Sequence, residues 1–192
     1  RSLLTQTTDI MPTLLDMCRI PIPDDVTGKS LLPSLTADQQ IRESVVFGYF
    51  GAAINVCDGR YSYFHYPKVD AAEHLFEYTL MPTRMTARFA IRELADATLH
   101  PSFSFTKGVP VLRLNPKTDE HGTPVEVQGL SFADQQSCLY DLSLDPAQSK
   151  PLDDPEIKAR MQAYIIDNMI ALDAPTETYQ RFGFPLPKNN SG

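Results

Sequence analysis

Ala53-Ile54-Asn55-Val56-Cys57-Asp58-Gly59-Arg60-Tyr61-Ser62-Tyr63-Phe64-His65-Tyr66 sets an Asp-Gly step between two short runs rich in β-branched and aromatic residues. Glycine tolerates the positive φ of a tight turn, and the flanking side chains suit a pleated, half-buried surface. The segment predicts that residues 53–57 and 61–65 pair antiparallel within a sheet of at least three strands. Val45-Val46-Phe47 precedes it as a further strand-like run, and Leu139-Tyr140-Asp141-Leu142 reads as a final strand. Such a sheet needs a helix against one face.

That helix is legible near the C-terminus. Asp154 can cap it, Pro155 suits its first position, and Glu156 lies where the helix dipole favours an anion. Ile157, Met161, Tyr164, Ile165, Met169 and Leu172 then line one face, interrupted by Asn168. The spacing predicts a helix over about 155–172 that buries Ile157, Met161, Ile165 and Leu172 against the sheet. Near the other end, Ile10 to Met17 has helical apolar spacing, Thr8 or Asp9 as cap, and Pro12 in the first turn; Pro21 and Pro23 stop it. Lys29-Ser30-Leu31-Leu32-Pro33 predicts one helical turn, and Met85–Leu94 a helix. Phe103 to Leu112 suggests irregular packed chain or a short edge strand, and residues 115–129 a surface loop with Val125 and Val127 as a short strand. The tail after Pro175 is expected to be an arm whose Tyr179, Phe182, Phe184 and Leu186 pack onto something. The fold class is α+β.

Composition narrows the partners. The chain has 192 residues, with 42% hydrophobic and 21% charged, enough for a packed core. Its 16 prolines favour short elements and irregular connections. A net charge of −7, with 17 Lys and Arg that form no cluster, argues against nucleic acid. No run of eighteen apolar residues exists, so no membrane span is expected. Cys18, Cys57 and Cys138 are too scattered for a zinc motif, a redox pair or a disulfide framework. Arg1 is an unusual native start, as a processed chain or fragment would show. Asn189-Asn190-Ser191 fits the glycosylation triplet.

The chemistry-bearing motifs are missing. No G-x-S-x-G elbow, H-E-x-x-H pair or glycine-rich phosphate loop occurs, and Lys107-Gly108 lacks the rest of an anion loop. Asp24-Asp25 lacks the further oxygen ligands, at a recognisable spacing, that a metal site needs, and reads as a turn. His65, His74, His100 and His121 stand in four unrelated contexts. His65, with Arg60 at the other end of the same strand, forms a pair that could face an anionic substrate; the competing reading is a sheet face with aromatic neighbours. No complete catalytic centre is legible.

Thr8-Asp9-Ile10-Met11-Pro12-Thr13-Leu14-Leu15-Asp16, followed by Ile20-Pro21-Ile22-Pro23 and Gly28-Lys29-Ser30-Leu31-Leu32-Pro33, resembles the C-terminal section of the sulfatase family, within the alkaline phosphatase-like superfamily. The resemblance resumes at Asp58-Gly59-Arg60-Tyr61 and at Leu139-Tyr140-Asp141-Leu142 with Asp145-Pro146, so it reaches from residue 8 to about 146. Glu77-Tyr78-Thr79-Leu80-Met81-Pro82-Thr83 resembles a subgroup of bacterial sulfatases and adds Arg84 to Arg60 and His65 as substrate-facing candidates. Cys18-Arg19 departs from the family, which places a small residue and a glycine there, and implies a different helix ending or local strain.

The resemblance implies the C-terminal part of a sulfatase-like fold: a small antiparallel sheet packed by a C-terminal helix, with a piece of the large α/β domain at the N-terminus. The implied divisions are 1–40 as the end of the large domain and connector, 41–175 as the sheet and helix subdomain, and 176–192 as a C-terminal arm. It also implies calcium and a formylglycine, made from Cys or Ser in a C/S-x-P-x-R sequence, for the intact parent enzyme. None of the three cysteines here stands in that sequence. The chain is therefore expected to be a fragment or subunit of a sulfuric ester hydrolase without the nucleophile, metal site or any cofactor of its own. The alternative is a non-catalytic binding or structural module derived from a sulfatase. The expected partners are a missing N-terminal catalytic region, or self-association through an apolar face including Leu14 and Leu15, and a sulfate ester substrate in the intact enzyme.

Overall fold

The computed structural model describes residues 3–67, 74–81, 83, 88–115 and 136–187. They form a mixed α+β architecture in two compact units. The first comprises Arg1–Gly48, Ala53–Tyr66 and Gln136–Leu172; the second comprises Tyr49–Ala52, Pro67–Gln135 and Asp173–Gly192. The first unit thus takes in the 1–40 segment together with much of the 41–175 segment.

The first unit is built on four strands: β1 (Val45–Gly48), β2 (Ile54–Cys57), β3 (Tyr61–His65) and β7 (Cys138–Asp141), in the order β1-β2-β3-β7, all antiparallel. The Asp-Gly hairpin forms as expected, with Ile54 opposite His65 and Cys57 opposite Ser62. Gly59 takes φ +96, and the Asp58 carboxylate accepts from the amides of Arg60 (2.9 Å) and Tyr61 (2.6 Å). One row of side chains crosses the whole sheet on one face: Val46, Val56, Tyr63 and Leu139 are successive cross-strand partners. Val56, Tyr63 and Leu139 are almost wholly buried.

Helix α4 (Pro155–Ala171) covers β2 and β3. Asp154 caps it, accepting from the Ile157 amide at 3.0 Å. Met161, Ile165 and Met169 are its buried residues, and Ile157 is half-buried. Leu172, expected in the core, is 40% exposed. A 17-residue helix runs about 25 Å, while strands of four or five residues reach about 16 Å, so the last turn extends past the sheet.

Helix α1 (Ile10–Met17) has the expected span, but its N-terminus differs from expectation. Asp9 makes no side-chain cap; a short 3-10 turn (Thr7–Asp9) precedes the helix, and the Asp9 carboxylate accepts instead from the amides of Gln6 (2.8 Å) and Lys29 (2.9 Å). The helix ends with Arg19 at φ +57, where Arg19 N donates to Asp16 O and Ile20 N to Leu15 O, both at 2.9 Å. This paired pattern usually carries glycine at the left-handed position; Arg19 adopts it despite the steric cost. Gly28 is required by contact, because a Cβ there would lie 2.0 Å from Thr8 O. The next helix, α2 (Leu32–Ala37), continues the turn predicted around Leu31-Leu32-Pro33.

The second unit holds a separate antiparallel sheet of β4 (Glu77–Thr79), β6 (Val111–Leu114) and β5 (Thr98–His100), in that order. Its strands β4 and β5 were not anticipated, and β6 is the central strand, not an edge. Pro110 precedes β6, so its missing N–H removes no ladder bond. Helix α3 spans Ile91–Ala95, shorter than the expected 85–94 segment, of which 85–87 lie outside the described residues. The expected loop beyond Asn115, with Val125 and Val127, also lies outside them. The expected arm contains α5 (Thr176–Phe182), which buries Tyr179, Arg181 and Phe182.

Candidate functional site

The β2–β3 turn gathers four charged side chains in the first unit. Arg60 donates through Nε (3.2 Å) and Nη2 (2.9 Å) to one oxygen of Asp141, while the other accepts from the Ser143 amide (3.0 Å) and hydroxyl (2.5 Å). Register explains the meeting, since Tyr61 lies opposite Asp141 across the β3–β7 ladder. The bonds from Arg60 and then Ser143 hold the Asp141 carboxyl down at about 2. Arg160 of α4 donates to Asp58 at 3.1 Å, and the Arg60 and Arg160 guanidinium carbons lie 4.8 and 5.3 Å from the Tyr61 ring centroid.

Two cations and two carboxylates balance this cluster, so no strong net field remains. The Arg60 side chain is nevertheless 59% exposed, and a guanidinium has five N–H donors of which Asp141 takes two. It can accept an anionic group from solvent. Burial pushes the neighbouring Cys57 thiol up, away from the reactive thiolate, although the Gly59 amide, donating to its sulfur at 3.3 Å, opposes this.

His65 lies at the far end of β3, roughly 16 Å from Arg60 along an extended chain. It is only 3% exposed, and its Nδ1 sits 3.0 Å from the Tyr63 hydroxyl. Gln162 of α4 donates to that hydroxyl at 3.2 Å. Arg60 and His65 are therefore not brought together. Arg84 lies outside the described residues.

A polar cluster in the second unit escaped sequence reading. Glu177, in the first turn of α5, accepts from the Tyr78 hydroxyl and lies 3.3 Å from Arg113 Nε. Tyr78 and Arg113 are cross-strand partners, and the His100 ring packs on Tyr78 at 5.1 Å. Burial, and then the bond to Glu177, push the Tyr78 phenol upward. Glu177 is held below the usual carboxylate range: its own burial opposes this, while the Tyr78 and backbone bonds and the charges of Arg113 and His100 favour the anion. At neutral pH the group is a carboxylate clamped by donors, which fastens α5 within this unit. Tyr78 stood only in the family-like phrase Glu77–Thr83, and Glu177 lies ninety-nine positions away.

Among the described residues, no group of three or more His, Cys, Asp or Glu could hold a metal ion. No described helix is long and apolar enough to cross a membrane.

No family model matches the chain, and no curated protein matches it. One solved structure from Bacteroides thetaiotaomicron, described under the metabolism of multiple glycosaminoglycans orchestrated by a versatile core genetic locus and labelled BT33494S-sulf, is similar with a TM-score of 0.53 and 16% identity. The similarity covers 95% of this chain and 30% of that one. A structure described as a 2-O GAG sulfatase is similar with a TM-score of 0.47 and 21% identity, over 90% of this chain and 26% of that one. At such identities the likeness is one of fold, and the first comparison carries it. The architecture is compatible with part of a sulfatase-like fold, and the chain spans less than a third of the length of either solved chain.

Proposed function

We propose that the chain is the C-terminal portion of a sulfuric ester hydrolase, contributing structure and a substrate contact while the nucleophile and metal site belong to a preceding catalytic region. The observation that carries this reading is a coincidence of order. Family-like phrases from residue 8 to about 146 fall on successive elements of a fold shared over 95% of the chain with a solved protein that is more than three times as long as the matched part.

Calcium and a formylglycine, implied for the parent enzyme, do not fit the residues present. The described residues offer no cluster of metal donors, and no cysteine stands in C-x-P-x-R. No chemical step is assigned to this chain. Arg60 is the proposed anion contact, because its guanidinium is anchored on Asp141 and open to solvent; Arg84 joins it on the phrase that precedes it. His65 is left out of the contact set, since its burial and its bond to Tyr63 give it an internal role.

Purified residues 1–192 are expected to hydrolyse neither 4-nitrophenyl sulfate nor 4-nitrophenyl phosphate, and to bind calcium no more tightly than an ordinary acidic surface. Losing one donor of an electrostatic clamp typically costs ~10²–10³ in rate, and here no cysteine stands in C-x-P-x-R and the described residues offer no cluster of metal donors. Turnover by the chain alone, abolished by a substitution within it, would overturn the reading. Turnover by neither the chain nor the natural longer polypeptide would favour a binding or structural module of sulfatase descent.

A further inference from the structure

Arg113 lies in β6, the central strand of the second sheet, with Tyr78 as its partner on β4 and Thr98 as its partner on β5. Its guanidinium carbon sits 3.6 Å from the Phe76 ring centroid. Nε lies 3.3 Å from a Glu177 oxygen, an ion contact without hydrogen-bond geometry, and has no hydrogen-bond acceptor among the described residues. Tyr78 is committed elsewhere, its hydroxyl donating to Glu177.

Other arginines of the two units close their donors on protein oxygens. Arg42 donates to Gln6 and Asp9, Arg60 to Asp141, Arg160 to Asp58, and Arg181 to Gly51 O. Among the described residues Arg113 donates no hydrogen bond, although its side chain is only 33% exposed. A stack on an aromatic ring occupies the face of a guanidinium and leaves its in-plane N–H donors available. Partial burial has already removed water from the group, and the stack has already fixed its orientation. A ligand at its outer edge therefore meets a prepared donor pair.

We infer that Arg113 anchors a binding site in the second unit for a small monoanionic carboxylate, held edge-on by Nη1 and Nη2. A carboxylate has the planar, two-oxygen geometry that matches this fork bidentately. Room for it lies on the β5 side, where Thr98 is short and exposed. On the β4 side stands Tyr78, packed by His100 at 5.1 Å and Phe103 at 5.3 Å. Charge selects the class. Glu177, held below the usual carboxylate range, stays anionic and repels an incoming anion, but it sits at the Nε end, away from the outer edge. The nearer guanidinium outweighs it, because the interaction falls with distance. A dianion such as inorganic sulfate fares worse, since stripping its water costs in proportion to the square of its charge while its attraction only doubles. Such a site binds its ligand whether or not the parent polypeptide hydrolyses a sulfate ester.

The test is a titration of isotope-labelled residues 1–192 at pH 7 and constant ionic strength. Benzoate is the probe, benzamide its neutral analogue of the same shape, and inorganic sulfate the competing anion. Arginine side-chain N–H resonances are followed, Arg113 being recognised by its contact with the Phe76 ring. Benzoate should move the Arg113 resonance saturably, and benzamide should leave it in place. Arg113→Lys, which keeps the charge and loses the planar fork, should weaken benzoate about tenfold. Arg60→Gln, in the first unit, should leave benzoate binding unchanged. An Arg113 resonance that ignores benzoate, or shifts shared by many arginines without saturation, would overturn the inference. So would tighter binding of sulfate than of benzoate, or full affinity in Arg113→Lys. The parent titration reads Arg113 directly, so a lysine variant that fails to fold leaves the test intact.

Discussion

Arg60 and Asp141, eighty-one positions apart, meet across the β3–β7 ladder, with Nε and Nη2 donating to one carboxylate oxygen at 3.2 and 2.9 Å. The pair ties the turn end of the hairpin to β7 and orients a guanidinium whose outer donors face water. Asp141 is 8% exposed, whereas Arg60 is screened by solvent, so the ion pair's contribution to stability is modest.

Its pH dependence has a defined sign. The folded Asp141 carboxyl titrates at about 2, below the ~4 of an unfolded aspartate. The stabilisation is complete above about pH 4 and is lost as pH falls through about 2, because the unfolded chain binds the proton first. Urea midpoints measured from pH 5 to pH 2 should fall more steeply for the parent than for Asp141→Asn. Parallel slopes would show that the carboxylate is not held this way.

Asp9 and Arg42 form the buried counterpart, with side chains 0% and 9% exposed. Asp9→Ala leaves the Arg42 charge, the Gln6 amide and the Lys29 amide without their acceptor. Removing one partner of a buried pair costs about 3–5 kcal/mol, and urea unfolding should read a loss of that order. A loss below 1 kcal/mol would mean that water reaches this network freely.

Ile165 tests the core. It is fully buried on the inward side of α4, so Ile165→Ala should destabilise by about 2–4 kcal/mol through lost transfer energy and a residual cavity. Leu172→Ala, on the exposed last turn, should cost much less. Equal effects would place the two residues in the same environment, against the structure.

Local chemistry made the first sheet and its helix readable in advance. The Asp58-Gly59 step, the Asp154-Pro155 start and the period of Met161 and Ile165 each act within one element, so no tertiary knowledge was needed. Three kinds of information were not local. Leu172 depended on where the sheet ends beneath the helix. The placement of Val111–Leu114 as a central strand depended on β4 and β5, whose three-residue length carries almost no pattern. The α1 spacing correctly indicated a helix, yet Ile10 and Leu14 face outward while Thr13 and Pro12 are buried beside Asp9, which finds Arg42 thirty-three positions away. The candidate site shows the same division: Arg60 was visible as a charge at a strand end, while Asp141, Ser143 and Arg160 joined it only through the fold.

Glu177 should act as a fastener of α5 in the second unit. Tyr78→Phe removes one donor to a carboxylate and should cost about 1.5–3 kcal/mol, the range for hydrogen bonds to charged groups. Limited proteolysis should then cut faster between residues 173 and 187 than in the parent. Unchanged cutting would show that Tyr179 and Phe182 hold the helix without help from Glu177.

The decisive measurement is aryl sulfate hydrolysis on mixing. Residues 1–192 and the separately expressed preceding region, carrying C-x-P-x-R with its cysteine oxidised, are assayed with 4-nitrophenyl sulfate alone and together. The proposed function predicts no turnover from this chain, turnover from the mixture, and, when Arg60→Gln replaces the parent, a greater loss for a sulfate ester that carries a further anionic group than for 4-nitrophenyl sulfate. Turnover by residues 1–192 alone, or a mixture in which the two parts neither associate nor release sulfate, would contradict it.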